Sequence, residues 1–343
     1  MQVETRLKLQ NILIISVCAL LFGLLYNYFY YPHSFTEFAE AGTIGVLIGL
    51  IVGFLEQFIL YETFQKRSFL KLSAVRATLY AFLTSVILCL VLSIEISMLE
   101  EISYFAAIQE YLKTPNFKRD FIFTFAFIIL MLFLFMIIVL IGKTNFLRLI
   151  IGSYHRPREV HRIFMFVDIK GSTSIAEKLS NKDYSAFIKD YFYDISDAII
   201  LFKGEVYQYV GDEMIVVWPI RNRNLNCIRC FYKMVEIIQA KSDRYQSKYG
   251  LVPEFKAGMH IGPVIITSVG KQKRELVYHG DVLNTTSRIE GKCNVLRQNL
   301  LISEDLLIYL EQNNEFTYEE KGEIELRGKA QKLRLYGVHP IQT

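Results

Sequence analysis

A chain of 343 residues has room for about two domains, and 52% of it is apolar, high for a freely soluble protein. The net charge of +4 is too mild to argue for nucleic acid as a partner. Five cysteines, an odd count without a regular framework, argue against a disulfide scaffold and for a reducing compartment around the soluble part.

The apolar excess lies before residue 143. A membrane span needs about 20 residues, and four runs reach that length: Asn11–Tyr31, Gly42–Tyr61, Arg76–Met98 and Phe121–Gly142. The first lacks a small-residue cleavage site and is followed by three more runs, so it reads as a span and not a signal peptide. Residues 1–142 are therefore expected to be a transmembrane domain in contact with lipid. Arg6 and Lys8 precede the first run, Lys66, Arg67 and Lys71 lie between the second and third, and Lys143 and Arg148 follow the fourth. The loop Pro32–Ala41 has no Lys or Arg, while Leu99–Asp120 is mixed. The positive-inside rule then puts both termini on the cytoplasmic side of a cell (inner) membrane.

Gly45, Gly49 and Gly53 form a stripe on one face of the second run. Such a stripe lets another helix approach closely, from the same bundle or from a second chain. Glu56, near the cytoplasmic end of that run, is a candidate ion or sensor site, or the partner of a nearby base. Cys18 and Cys89 read as small apolar fillers. Residues 143–161 are a short linker with apolar Phe146, Leu147, Leu149, Ile150 and Ile151 and then Pro157, which is no Gly/Ser tether.

Residues 162–338 read as a globular domain large enough for a real core. Ile163–Val167 is a buried strand ended by Asp168. Helical periods cover Ser174–Leu179 and Lys182–Leu201, and a strand pair flanks the turn Val210–Glu213. A long amphipathic helix is expected over Asn222–Tyr249. Phe255–Ile261, Pro263–Val269 and Arg274–Tyr278 read as strands, Asp281–Cys293 as a helix, and the remainder as short strands around one helix. This alternation predicts an α+β sheet with helices on one main face. Cys227 and Cys230 have redox or zinc spacing, but they lie inside the amphipathic helix without a second Cys/His pair, so packing is the plainer reading.

Two acids stand out. Asp168 ends a strand before Gly171, Ser172 and Thr173 open a helix, and Asp212 follows Gly211 in a turn. A carboxylate beside a helix N-terminus can take a cation while free N–H groups face an anion. Two such acids meeting across a strand pair can hold two divalent ions. Turn or cap roles are the plain alternatives for each residue alone.

Four motifs carry a resemblance: Phe166–Thr173, Val210–Glu213, Gly258–Val264 and Gly280–Arg288. Together, in this order and spacing, they resemble the class III nucleotidyl cyclases, the adenylyl and guanylyl cyclase family. The resemblance covers residues 162–338. It implies a ferredoxin-like catalytic domain that works as a homodimer with sites at the interface. It also implies two divalent ions, Mg²⁺ or Mn²⁺, and conversion of a nucleoside triphosphate into its 3′,5′-cyclic monophosphate plus pyrophosphate.

Carried over residue by residue, Asp168, Asp212 and the Ile169 carbonyl would bind metal, and Lys170, Gly171, Ser172 and Thr173 would present N–H groups to the phosphates. Asn284 would meet the ribose and Arg288 the transition-state phosphates from the opposite chain; the two are four apart, hence on one helical face. Arg327 falls where the family has a triphosphate-binding lysine, with Lys329 as a neighbouring candidate. A solvated polar surface is the plain alternative for both pairs. The base-selecting positions depart from the pattern: Gln208 stands where lysine or glutamate is usual, and Val277 where a polar partner is usual. A glutamine amide can pair with adenine or guanine. ATP is favoured because the glutamate of guanylyl cyclases is absent, with GTP or both nucleotides as the alternative. Gly211-Asp212-Glu213 also resembles the diguanylate cyclase motif, but Val210 precedes it and Met214 follows. A non-catalytic membrane sensor that keeps the fold for dimerisation is the remaining alternative.

Overall fold

The computed structural model describes residues 2–31, 34–59, 69–142, 146, 157–220, 224–271, 275–310, 314–325 and 332–341. The chain divides into two compact units, Met1–Leu147 and Arg148–Thr343. Most of the expected linker lies outside the described residues.

The first unit is helical: α1 (Gln2–Tyr30), α2 (Phe35–Phe54), α3 (Phe69–Leu99), α4 (Tyr104–Lys113) and α5 (Pro115–Ile141). Within them, Lys8–Tyr30, Phe35–Phe58, Ala74–Leu99 and Pro115–Ile138 are long and apolar enough to cross a bilayer. Helix starts follow capping chemistry. Ser34, Ser103 and Thr114 accept the backbone N–H groups of Glu37, Ala106 and Phe117, and Pro115 opens α5. Helix α4 occupies the stretch expected to be a loop between the third and fourth spans. The glycine stripe seats α1 of the same chain. A Cβ at Gly49 would lie 2.4 Å from the Ser16 Cα, and one at Gly45 2.6 Å from the Ala19 carbonyl oxygen. Only glycine permits that approach. A π-helical turn, Leu55–Ile59, ends α2 and carries Glu56. Glu56 pairs with Arg76 at 3.3 Å, both buried. Leu13, Leu21, Phe82 and Ile122 face outward uncovered.

The second unit is built on an eight-stranded sheet. Its strands are β1 (Arg158–Ile169), β2 (Glu205–Val210), β3 (Glu213–Pro219), β4 (Phe255–Val269), β5 (Glu275–His279), β6 (Leu300–Ser303), β7 (Phe316–Glu325) and β8 (Lys332–Pro340). The order is β2-β3-β1-β4-β6-β8-β7, with β5 paired to β4. The central β2-β3-β1-β4 is the ferredoxin-like arrangement, and among the described strand pairs only β4–β6 is parallel. The helices are α6 (Ser172–Lys178), α7 (Asn181–Leu201), α8 (Asn226–Ala240), α9 (Ser242–Tyr249), α10 (Asp281–Lys292) and α11 (Glu304–Tyr309).

The apolar run in β1 is buried on both faces, because successive side chains point to opposite sides. Met165 and Val167 pack under α7 and α8 with Phe187, Tyr191, Ile195, Phe231 and Met234. Phe164 and Phe166 pack on the other face with Val264, Tyr278 and Val282. Cys227 and Cys230 sit fully buried in the first of these cores. Burial pushes the Cys227 thiol up to about 12 and the Cys230 thiol well above its ordinary value. They are packing residues, not a reactive pair. Two expectations need correcting. The strands placed on either side of Gly262-Pro263 are one continuous β4; a Cβ at Gly262 would press 2.7 Å from a Val282 methyl, so the glycine serves helix packing and not a turn. The long helix ending at Tyr249 is broken at Lys241 into α8 and α9.

Candidate active site

The site grows from strand register. β1 and β3 pair antiparallel with Val167 opposite Met214. The β2–β3 hairpin closes Val210 on Glu213 through Gly211 and Asp212. Gly211 has φ of 64°, the left-handed conformation that a glycine supplies at the first turn position. That turn brings Asp212 against Asp168, one residue beyond the end of the β1–β3 register. The Asp212 Oδ2 is buried without a hydrogen-bond partner. Burial, and then the Asp212 carboxylate beside it, push the Asp168 carboxyl up to about 6, with Lys256 pulling the other way.

On the other side of β1, Lys256 of β4 is the register partner of Asp168. Its Nζ lies 3.2 Å from the Asp168 Oδ2 and also holds Glu290 of α10. Lys256 and Glu290 are only 6% and 7% exposed, so this bridge is inside the protein. Burial would lower the Lys256 ammonium, but Glu290 and Asp168 hold it above its ordinary value. Gly258 makes the bridge possible: a Cβ there would lie 2.3 Å from the Glu290 backbone N. Glu213 completes the cluster, pushed up to about 7 by burial and then by Glu290, Asp168 and Asp212. Lys256, Glu213 and Glu290 were missed from sequence. The available signal was a lysine in an otherwise apolar stretch of β4, one residue after Phe255.

The donor chemistry suits a divalent ion. Hard carboxylate oxygens, one of them unpartnered, are crowded together with one lysine to offset them. Among the described residues no three His, Cys, Asp or Glu side chains converge as a complete metal cage. Two aspartates would need a main-chain or substrate oxygen beside them. Ile169 follows Asp168 with its side chain in the core, which leaves its carbonyl as the group it can offer.

The expected anion side begins at the turn after β1. Gly171 has φ of 66° and opens α6 with no side-chain cap, so no capping side chain competes for the first-turn N–H groups at Ser172 and Thr173. Lys170 differs. Its N–H is bonded to the Glu254 carbonyl at 2.8 Å, and its Nζ to the Asn299 Oδ1 at 2.5 Å. That bond, just beyond the β1–β4 ladder, claims its amide, so Lys170 does not belong to the N–H cradle. On α10, Asn284 is exposed and Arg288 half-buried, and neither makes a side-chain hydrogen bond or ion pair among the described residues. Gln208 is exposed on β2, and Val277 lies on β5 opposite Thr267 of β4. The Tyr207 and Tyr278 rings meet edge-on at 5.0 Å, which brings the strand segments of Gln208 and Val277 together. Arg327 and Lys329 lie outside the described residues.

Residues 158–340, more than half of the chain, match the family model described as the adenylate and guanylate cyclase catalytic domain. The chain belongs to this cyclase family. Members are generally dependent on divalent metal, in keeping with the carboxylate chemistry above. Adenylate cyclase 2 of Rhizobium meliloti (strain 1021) is 36% identical over 196 residues, which cover 57% of this chain and 54% of that protein. The adenylate cyclase of Anabaena cylindrica is 25% identical over 185 residues, covering 51% of this chain and 36% of that protein. The chain thus spans about half the length of the first relative and about a third of the second. Among solved structures, a bacterial light-regulated adenylyl cyclase aligns at TM-score 0.48 with 20% identity, over 53% of this chain and 52% of that one.

Proposed function

We propose that this cyclase is a membrane-anchored adenylate cyclase, converting ATP into 3′,5′-cyclic AMP and pyrophosphate at a homodimer interface, with its catalytic unit on the cytoplasmic side. The observation that carries the reading is the pair Asp168 and Asp212, pressed together with one buried oxygen unpartnered. In this reading Asp168, Asp212 and the Ile169 carbonyl hold two divalent ions, Mg²⁺ or Mn²⁺. Such ions, when bound, favour ionisation of the ribose 3′-hydroxyl and offset charge at the α-phosphate. The N–H groups of Gly171, Ser172 and Thr173 receive the β- and γ-phosphates. Asn284 of one chain orients the ribose bound at the aspartates of the other, and its Arg288 forks onto the phosphate oxygens as the bond to pyrophosphate breaks. That neither has a side-chain partner among the described residues supports that assignment. Arg327 and Lys329 add cationic charge at the triphosphate.

The base is read by Gln208 and Val277. An amide that both donates and accepts supports a second reading, in which GTP is also cyclised. Purified full-length protein, incubated with Mg²⁺ or Mn²⁺ and with ATP or GTP separately, separates the readings by product mass. Cyclic AMP as the main product is expected. Linear products would reject cyclisation, and no product with either metal would leave the non-catalytic sensor. Mixing an Asp168→Ala chain with an Arg288→Ala chain should restore one site per dimer; confirmed mixed dimers without activity would exclude shared sites.

A further inference from the structure

The bridge from Asp168 through Lys256 to Glu290 joins two groups of residues that the proposed function assigns to different sites of the dimer. Asp168 lies at the end of β1, beside Asp212. Glu290 lies on α10, the helix that also carries Asn284 and Arg288. Lys256 holds both acids, with its Nζ 3.2 Å from the Asp168 Oδ2 and in contact with the Glu290 Oε1. It is buried, and among the described residues these two acids are its only ionic partners.

The two faces of α10 look in different directions. Glu290 stands two residues beyond Arg288, about 200° round a helix of 3.6 residues per turn. Glu290 is buried against Lys256, while Arg288 is half-buried and Asn284 exposed. Nothing cushions the helix from the sheet at this point. A Cβ at Gly258 would lie 2.3 Å from the Glu290 backbone N, so α10 rests directly on the β4 backbone. A change in how Lys256 holds Glu290 therefore acts on the same helix turn as Arg288.

We infer that Glu290 is a positioning residue that links the loading of its own chain's aspartate pair to the setting of α10, and so of the Asn284 and Arg288 that serve the partner's site. The inference rests on the proposed metal and dimer reading. Lys256 is the moving part. With Asp168 free of metal, its ammonium is shared between two acids. With Asp168 engaged by a cation, like charge repels the ammonium, and Glu290 becomes its sole counter-charge. That draws α10 onto β4, so loading of one site prepares the other, a coupling between two places that share one structural element.

The test uses the full chain in phosphatidylcholine nanodiscs with Mn²⁺ alone. Amide hydrogen exchange over Asp281–Lys292 is read by mass spectrometry, and bound Mn²⁺ by electron paramagnetic resonance. In the wild-type chain saturating Mn²⁺ should slow exchange in α10 by at least about fivefold. Asp168→Ala should lose the slowing. Glu290→Gln should still bind Mn²⁺ yet lose the slowing, with the unfolding profile of the buried Trp218 kept. Lys256→Met joined with Glu290→Leu removes both buried charges together, a change that folds tolerate, and should lose it too; this pair carries the test if Glu290→Gln unfolds. Slowing that persists without the bridge, or Mn²⁺ that binds the wild-type chain and leaves α10 unchanged, overturns the inference. No Mn²⁺ binding by the wild-type chain would reject the metal reading and the inference with it. A response in α10 beside inactive mixed dimers of Asp168→Ala and Arg288→Ala would confine the linkage to one chain and overturn its reach to the partner's site.

Discussion

In the helical unit Glu56 meets Arg76, and Asp120 meets Arg119 and three tyrosine hydroxyls. In the sheet unit Lys256 bridges Asp168 and Glu290, with Asp212 against Asp168 and Glu213 within their electrostatic reach. Both units bury carboxylates, yet the first pairs Glu56 and Asp120 while the second leaves a surplus of negative charge around Asp168. A satisfied buried charge fixes how elements pack. A surplus, held in place by a fold that gains nothing from it, marks where a cation belongs. The contrast distinguishes Glu56 from Asp168, two acids in similarly apolar stretches of sequence.

The contrast can be broken most sharply at Asp212. Asp212→Asn should lower nucleotide turnover by at least about 10⁴-fold, as removal of a member of a catalytic unit does. It should also raise the thermal midpoint without metal, because it relieves repulsion on Asp168. Cyclase assays and thermal unfolding in EDTA measure the two effects; an active, destabilised variant would make Asp212 a structural turn residue. Next in size, Arg76→Ala should destabilise the helical unit by about 3–5 kcal/mol, since it strands a buried carboxylate. The joint change Glu56→Leu with Arg76→Met should come back near neutral. Unfolding in detergent followed by helical circular dichroism reads both, and a neutral Arg76→Ala would erase the contrast between the units.

A smaller effect is expected at the helix contact. Gly49→Ala places a Cβ where the Ser16 Cα now sits 2.4 Å away, and should cost about 1–3 kcal/mol by overpacking. An unchanged melting profile would return the glycine stripe to an interface between chains. The smallest effect is with pH. Asp168 and Glu213 titrate in the fold near 6 and 7, above ordinary carboxylates. Their contribution is fully present below the unfolded values and is lost as pH rises through the folded ones. Without metal, the sheet unit should therefore weaken between about pH 4 and pH 7, and added Mn²⁺ should reverse the loss at the upper end. The chain's one tryptophan, Trp218, is buried in this unit and reports its unfolding alone. A midpoint that climbs with pH in EDTA would contradict the surplus-charge account.

Patterning carried most of the architecture. Long apolar runs can only be buried or face lipid, and strand and helix periods follow from which side chains must leave water. Asp168 and Asp212 were legible because glycine-rich turns beside apolar strands leave few places for an acid to go. Lys256 was not, since its role depends on sitting opposite Asp168 across β1 and β4, and pairing register is settled between segments far apart in the chain. Helix α4 was hidden by its shortness and its position between two stronger apolar signals. The Lys170 amide was misassigned because its partner, Glu254, lies just before β4, far along the chain.

The amino-acid order by itself determined that there are two units, one of apolar helices and one of mixed sheet, and that acids stand at strand edges beside helix-opening glycines. Tertiary structure alone decided which charges find partners. It set Lys256 between Asp168 and Glu290, seated α1 on the glycine stripe, and left the Asp212 and Asn27 oxygens unmet. Periodicity is a property of neighbours along the chain. Electrostatic balance depends on distances of a few ångströms between residues that only folding brings together.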